Sequence, residues 1–143
     1  MKKVFNFDMD GTIADLYAVD NWLAKLCASD PSPYANARPL VNMSRLAKAL
    51  HKVQRAGHEV RIVSWLSKNS DAAYDAAVTE AKKGWLKKHL PSVDWDKVLI
   101  VAYGTPKHEI SNGILFDDEE RNRNNWGAGA FEPKDIFEVL ASA

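Results

Sequence analysis

The sequence predicts an α/β domain, a parallel sheet with helices on both faces. Three observations carry that prediction. Short β-type runs alternate with helical spacings along the chain, and such an order closes most simply through parallel crossovers. The run Val98-Leu99-Ile100-Val101-Ala102 is unbroken and apolar, as in a strand buried on both faces. At 143 residues and 46% hydrophobic positions, the chain can form one real core and is too short for two ordinary domains.

The elements follow in order. Val4-Phe5-Asn6-Phe7 is the first strand, and aspartates with Gly11 mark the turn that ends it. From about Asp15 to Ala28, Leu16, Val19, Leu23 and Leu26 recur at three and four, which predicts a helix. Asp30 to Pro39 holds three of the six prolines and reads as a loop. A second helix spans Ser44 to Ala56, with Leu46, Ala49, Leu50 and Val53 on one face and Gly57 as its stop. Val60-Arg61-Ile62-Val63 is the second strand and ends at Ser64. The longest helix runs from Asp71 to Leu90, with Ala73, Ala76, Ala77, Ala81 and Trp85 inward. Its lysines, Lys82, Lys83, Lys87 and Lys88, mostly face out. Ile114-Leu115-Phe116 is a further strand that stops at Asp117. A short strand over 128–131 and a helix from Pro133 to Leu140 finish the chain, Pro133 standing where a first-turn proline belongs.

Composition excludes several classes. Lys+Arg and Asp+Glu tie at 19 each, so no basic excess steers the chain toward a polyanion. One cysteine, Cys27, leaves no internal disulfide and no multi-Cys zinc site. The four histidines show no metal-ligand spacing. No apolar run reaches the about 20 residues of a membrane helix, and Asp8 and Asp10 interrupt the stretch after Met1-Lys2-Lys3 where a signal peptide would be apolar. The expectation is a soluble cytoplasmic protein with no membrane partner and no strong nucleic-acid signal.

In parallel sheets, ligands bind beyond the carboxyl ends of the strands. The residues at those ends are Asp8, Ser64, Tyr103-Gly104 and Asp117-Asp118. Asp8 and Asp10, two apart on a turn, can point into one site while Gly11 lets the backbone fold tightly. With Asp117 and Asp118 the site holds up to four carboxylates, a cluster that calls for a cation. Hard oxygen ligands suit Mg²⁺. A carboxylate beside Mg²⁺ can attack a phosphoryl group, and a second one can protonate the leaving oxygen and then activate water.

The stretch Asp8-Met9-Asp10-Gly11-Thr12 resembles the first motif of the haloacid dehalogenase-like (HAD) phosphohydrolases. The other three motifs follow in order, with Ser64 ending the second strand, Lys107 ahead of the fourth and Asp117-Asp118 ending it. The wider run Asp8 to Asp15, and Lys82 three residues before Trp85 with His89-Leu90 after, look most like the 5'(3')-deoxyribonucleotidase branch. The resemblance implies a three-layer Rossmann-like core with a small helical cap at about 16–41. It also implies that Asp8 is the nucleophile and a Mg²⁺ ligand, and that Asp10 is the general acid/base with its carbonyl on the metal. Ser64 would bond a phosphoryl oxygen, with Ser67 as the alternative. Lys107 would hold the phosphate, and Asp117 and Asp118 would bind Mg²⁺, Asp118 directly or through water. Thr12, Trp65 and Lys82 are the candidate substrate-binding residues.

Two departures bear on substrate. Nucleotidase-branch members often pair two hydroxyl residues at the second motif, whereas this chain has Val63-Ser64-Trp65, and its cap segment is short. Tyr17, Trp22 and Tyr34 in that segment, and Trp65 at the mouth, are candidates to stack on a base or sugar, while Trp85 and Trp95 read as packing. The expected function is a Mg²⁺-dependent phosphomonoesterase acting on a (deoxy)nucleoside monophosphate. A sugar phosphate or a polynucleotide 3'-phosphate is the alternative substrate, and a non-catalytic phosphate-binding module the alternative of another class. Small-cap relatives can close the site with a neighbouring subunit, so a homodimer stays open.

Overall fold

The computed structural model describes all of residues 1–143. β1 (Val4–Phe7) is central, with Phe5 and Phe7 fully buried. After Asp8 the chain turns tightly. The Met9 carbonyl accepts from the N–H groups of Thr12, Ile13 and Ala14 at 3.1, 3.0 and 2.9 Å. Gly11 sits in this turn at φ +82°, and a Cβ there would run into the Asp118 carboxylate, so only glycine fits.

β2 (Ala14–Asp15) leads into a 3-10 turn over Leu16–Ala18, then α1 (Trp22–Cys27), α2 (Ser32–Asn36) and β3 (Arg38–Pro39), which pairs antiparallel with β2. The one helix expected over Asp15 to Ala28 is therefore two pieces. Val19 is extended and Asn21 adopts the left-handed conformation at φ +58°, which no α-helix continues through. The expected loop over Asp30 to Pro39 contains α2, because Pro33 lies in the first helical turn, where a missing N–H costs no bond.

α3 (Met43–Arg55) starts at Asn42, whose side chain accepts from the Arg45 N–H at 2.9 Å, and it buries Leu46, Leu50 and Val53. β4 (Glu59–Trp65) takes in Ser64 and Trp65. α4 (Ala72–His89) is capped by Asp71, which accepts from the Tyr74 N–H at 2.8 Å. Its buried face is Tyr74, Val78, Lys82, Trp85 and Leu86, while Ala73 and Ala76 are exposed. Alanine suits either environment, so the large side chains set the phase of the helix and Lys82 goes inward with them. β5 (Lys97–Val101) is an edge strand with half-buried side chains, not the enclosed strand its apolar run predicts. The chain ends with α5 (Lys107–Ile110), β6 (Ile114–Phe116), α6 (Glu120–Trp126), β7 (Ala130–Phe131), a 3-10 turn at Pro133–Asp135 and α7 (Ile136–Ala141).

Five strands form one parallel sheet in the order β5-β4-β1-β6-β7, with Phe7 level with Ile62 on one side and Phe116 on the other. α3, α4 and α7 pack on the Phe5–Phe7 face through Leu46, Leu50, Trp85 and Ile136. The β5→β6 crossover reverses direction across the sheet, which puts α5 and α6 on the other face. A smaller cluster of Leu16, Tyr34, Tyr74 and Val78 seats the 16–41 segment on α4, and the Trp85 indole N–H donates to the Ala37 carbonyl at 2.8 Å. No helix is long and apolar enough to cross a membrane. Strand order reverses beside β1, so the crevice for a ligand opens where Asp8 and Asp117 emerge.

Candidate active site

A cavity of about 530 Å³ opens at this switch point, lined by the carboxylates of Asp8, Asp10, Asp117 and Asp118 and by the aromatic rings of Tyr17, Trp22, Tyr34, Trp65 and Tyr103. Lys107 lies at its floor, almost fully buried. It donates to Asp8 Oδ1 at 2.9 Å and to Asp117 Oδ2 at 2.7 Å. Burial pulls its ammonium down, but the attraction of Asp8 and Asp117 outweighs that and holds it above the ordinary lysine range. A polar ladder fixes the segment that follows its helix, α5, into β6. The Asn6 amide donates to the carbonyls of Asn112 and Ile114 at 2.7 and 2.9 Å, and Ser111 Oγ donates to Asn6 Oδ1 at 2.6 Å.

Thr12 does not face the cavity. Its hydroxyl lies 3.1 Å from Asp8 Oδ2 and 3.3 Å from Asp118 Oδ1, and it accepts from the Asp118 N–H at 3.2 Å. It holds the first turn to the end of β6. Lys82 is also behind the wall, only 1% exposed, and donates to Asp10 Oδ2 at 2.9 Å, Ser64 Oγ at 2.7 Å and the Trp65 carbonyl at 2.7 Å. Neither residue is among those that line the cavity. Ser64 is fully buried against Lys82, whereas Ser67 lines the cavity and shares a hydrogen bond with the Tyr34 hydroxyl. Trp65 does line the cavity, tilted against Tyr103 at 5.0 Å between centroids. Its indole N–H donates to the Thr105 carbonyl at 2.8 Å.

Two residues that sequence reasoning passed over complete the acidic corner. The Asn122 amide donates to Asp117 Oδ2 at 3.1 Å, and the Arg123 guanidinium donates to the Asp117 carbonyl at 3.0 Å. Their only signal was position, one helical turn after Asp117-Asp118 at the start of α6.

Asp8, Asp117 and Asp118 fit a cation. One carboxylate oxygen from each lies within 4.8 Å of the others, and all are hard donors of the kind Mg²⁺ takes. Burial raises Asp117 and Asp118 above the carboxylate range, and the neighbouring charge of Asp8 raises them further. Raised carboxylates stabilise the fold fully below the unfolded value of about 4, and that stability is lost as pH rises through the folded values. A cation that binds the ionised set acts in the opposite sense. In EDTA the Tm is therefore expected to fall between about pH 5 and about pH 8. Mg²⁺ should restore more at the higher pH, by about 2.7 kcal/mol at a hundred times its Kd. Thermal melts at both pH values check this, and an equal Mg²⁺ shift at each would remove the cation from this corner.

No family model matches the chain, and no curated protein matches it in sequence. Among solved structures it is similar to a D,D-heptose 1,7-bisphosphate phosphatase from Burkholderia thailandensis. The identity is 16% and the TM-score 0.52, with 99% of this chain and 86% of that chain covered. At that identity the likeness is one of fold: the two chains share an α/β architecture with a mostly parallel central sheet and helices around it.

Proposed function

We propose that the chain is a Mg²⁺-dependent phosphomonoesterase of the HAD superfamily that works through an aspartyl-phosphate on Asp8. One observation carries this reading: Asp8 stands at the switch point between Lys107 and the Asp117–Asp118 corner, with Asp10 on the same cavity wall. Asp8, Asp117 and Asp118 would hold Mg²⁺, which when bound would supply the positive charge that lets an anionic nucleophile meet an anionic phosphoryl group. A carboxylate oxygen of Asp8 bonds to phosphorus as the bond to the leaving oxygen breaks, and Asp10 gives that oxygen its proton. Water then attacks phosphorus, Asp10 takes the water's proton, and the bond to Asp8 breaks. Lys107 holds Asp8 in place through both steps. The 16–41 segment is the cap over this chemistry.

A phosphorylated sugar is the first substrate reading, supported by the sugar bisphosphate phosphatase that shares the fold. A nucleoside monophosphate is the second, favoured by the aromatic wall of Tyr17, Trp22, Trp65 and Tyr103, which offers flat faces to a base. The experiment is phosphate release from sugar phosphates, nucleoside monophosphates, a 3'-phosphorylated oligonucleotide and p-nitrophenyl phosphate, each with Mg²⁺ and with EDTA. Release only with Mg²⁺, strongest on a sugar phosphate, is the expected result. Preference for a nucleotide selects the second reading. Tight Mg²⁺ and phosphate binding without release from any compound would make the chain a binding module instead.

A further inference from the structure

α4 brings Lys82 to the wall behind Asp10, and the mechanism above gives it no task. An ammonium has three protons to donate, and each is committed, to Asp10 Oδ2, Ser64 Oγ and the Trp65 carbonyl. The Tyr34 ring lies 4.9 Å from Nζ, which closes the remaining side from water. A group so placed cannot reach a substrate without giving up all three of these hydrogen bonds, one of them to the buried Ser64 hydroxyl. It can, however, decide which oxygen of Asp10 does chemistry. Oδ2 already accepts from an ammonium and has nothing to gain from a proton, whereas Oδ1 has no partner in the chain and belongs to a side chain that lines the cavity.

We propose that Lys82 is a positioning residue that holds Asp10 by Oδ2 so that Oδ1 alone delivers and takes the catalytic proton. The proposal rests on the phosphatase reading. In the first step the proton passes from Asp10 Oδ1 to the leaving oxygen as its bond to phosphorus breaks. In the second, the attacking water returns a proton to Oδ1. Lys82 keeps its three hydrogen bonds throughout, and it also ties Asp10 to Ser64 and Trp65 at the end of β4, so acid and strand end hold one relative position.

The test separates this role from a structural one by the leaving group. p-Nitrophenolate departs from phosphorus with little need of a proton, while phenolate, with a conjugate acid near that of tyrosine, needs one. In Lys82→Met, kcat/KM on phenyl phosphate is expected to fall about 10²-fold or more, and on p-nitrophenyl phosphate by less than about tenfold. Because Lys82→Met strands a carboxylate, the same change is also made in Asp10→Asn, where no charge is left to strand. There it should add no further loss on phenyl phosphate. Equal losses on the two esters, or additive losses in the double variant, would overturn the positioning role. Wild-type protein that hydrolyses neither ester would fail the phosphatase reading itself, a result distinct from both.

Discussion

Asp8→Asn is expected to abolish turnover and leave the fold in place. Asparagine keeps the shape of the side chain, and its carbonyl oxygen can still accept from Lys107 where Asp8 Oδ1 now does at 2.9 Å. What is lost is the anionic oxygen that, in the proposed mechanism, forms the bond to phosphorus. Removing a residue that makes a covalent intermediate lowers kcat on the order of 10⁴-fold or more. Release of p-nitrophenolate in the presence of Mg²⁺, read beside far-UV circular dichroism, checks both halves. An Asp8→Asn protein with a normal spectrum and more than about a tenth of wild-type activity would exclude Asp8 as the nucleophile.

Lys107→Met is expected to have the largest effect on stability. The lysine side chain is 3% exposed, and its partners Asp8 and Asp117 are 11% and 1% exposed, so the change leaves two carboxylates facing one another with no counter-charge. Breaking a buried pair in this way costs about 3–5 kcal/mol, on the order of 10 °C in Tm for a domain of this size. The sign with pH is clear: the folded Lys107 titrates above the ordinary lysine value. Its contribution is complete below about pH 10 and is lost only as pH rises through the raised folded value. The deficit is therefore fully expressed at neutral pH. Mg²⁺ should recover part of it, because the cation would neutralise the same carboxylates. A Tm within about 2 °C of wild type in EDTA would mean that the two aspartates are not ionised together in the fold.

The sheet and its carboxylate-bearing edge were legible because strand ends are marked locally. A β-type run that stops at a carboxylate, as at Phe7-Asp8 and Phe116-Asp117, carries its own boundary, and the parallel order then brings both aspartates to one crevice. What was not legible depended on tertiary context. The apolar run of β5 matches an enclosed strand in composition, yet edge position is a property of the whole sheet. The phase of α4 is hidden in the sequence because its five alanines outnumber its large apolar side chains, Tyr74, Val78, Trp85 and Leu86, and a lysine is exposed by default until acceptors such as Asp10 and Ser64 are found opposite it. In the 16–41 segment a single left-handed residue, Asn21, split an expected helix, and a proline in the first turn of α2 started one where prolines in number had read as loop.

The most direct measurement mixes Asp10→Asn with p-nitrophenyl phosphate and Mg²⁺, quenches in acid and maps the phosphoryl group by mass spectrometry. This variant keeps Asp8, the proposed nucleophile, and lacks Asp10, the proposed base for the water step, while the leaving group departs without a proton. A burst of one p-nitrophenolate per protein chain, with the phosphoryl adduct on the peptide containing Asp8, is the predicted result. Turnover without a burst and without an adduct, or an adduct on any residue other than Asp8, would contradict phosphoryl transfer through Asp8.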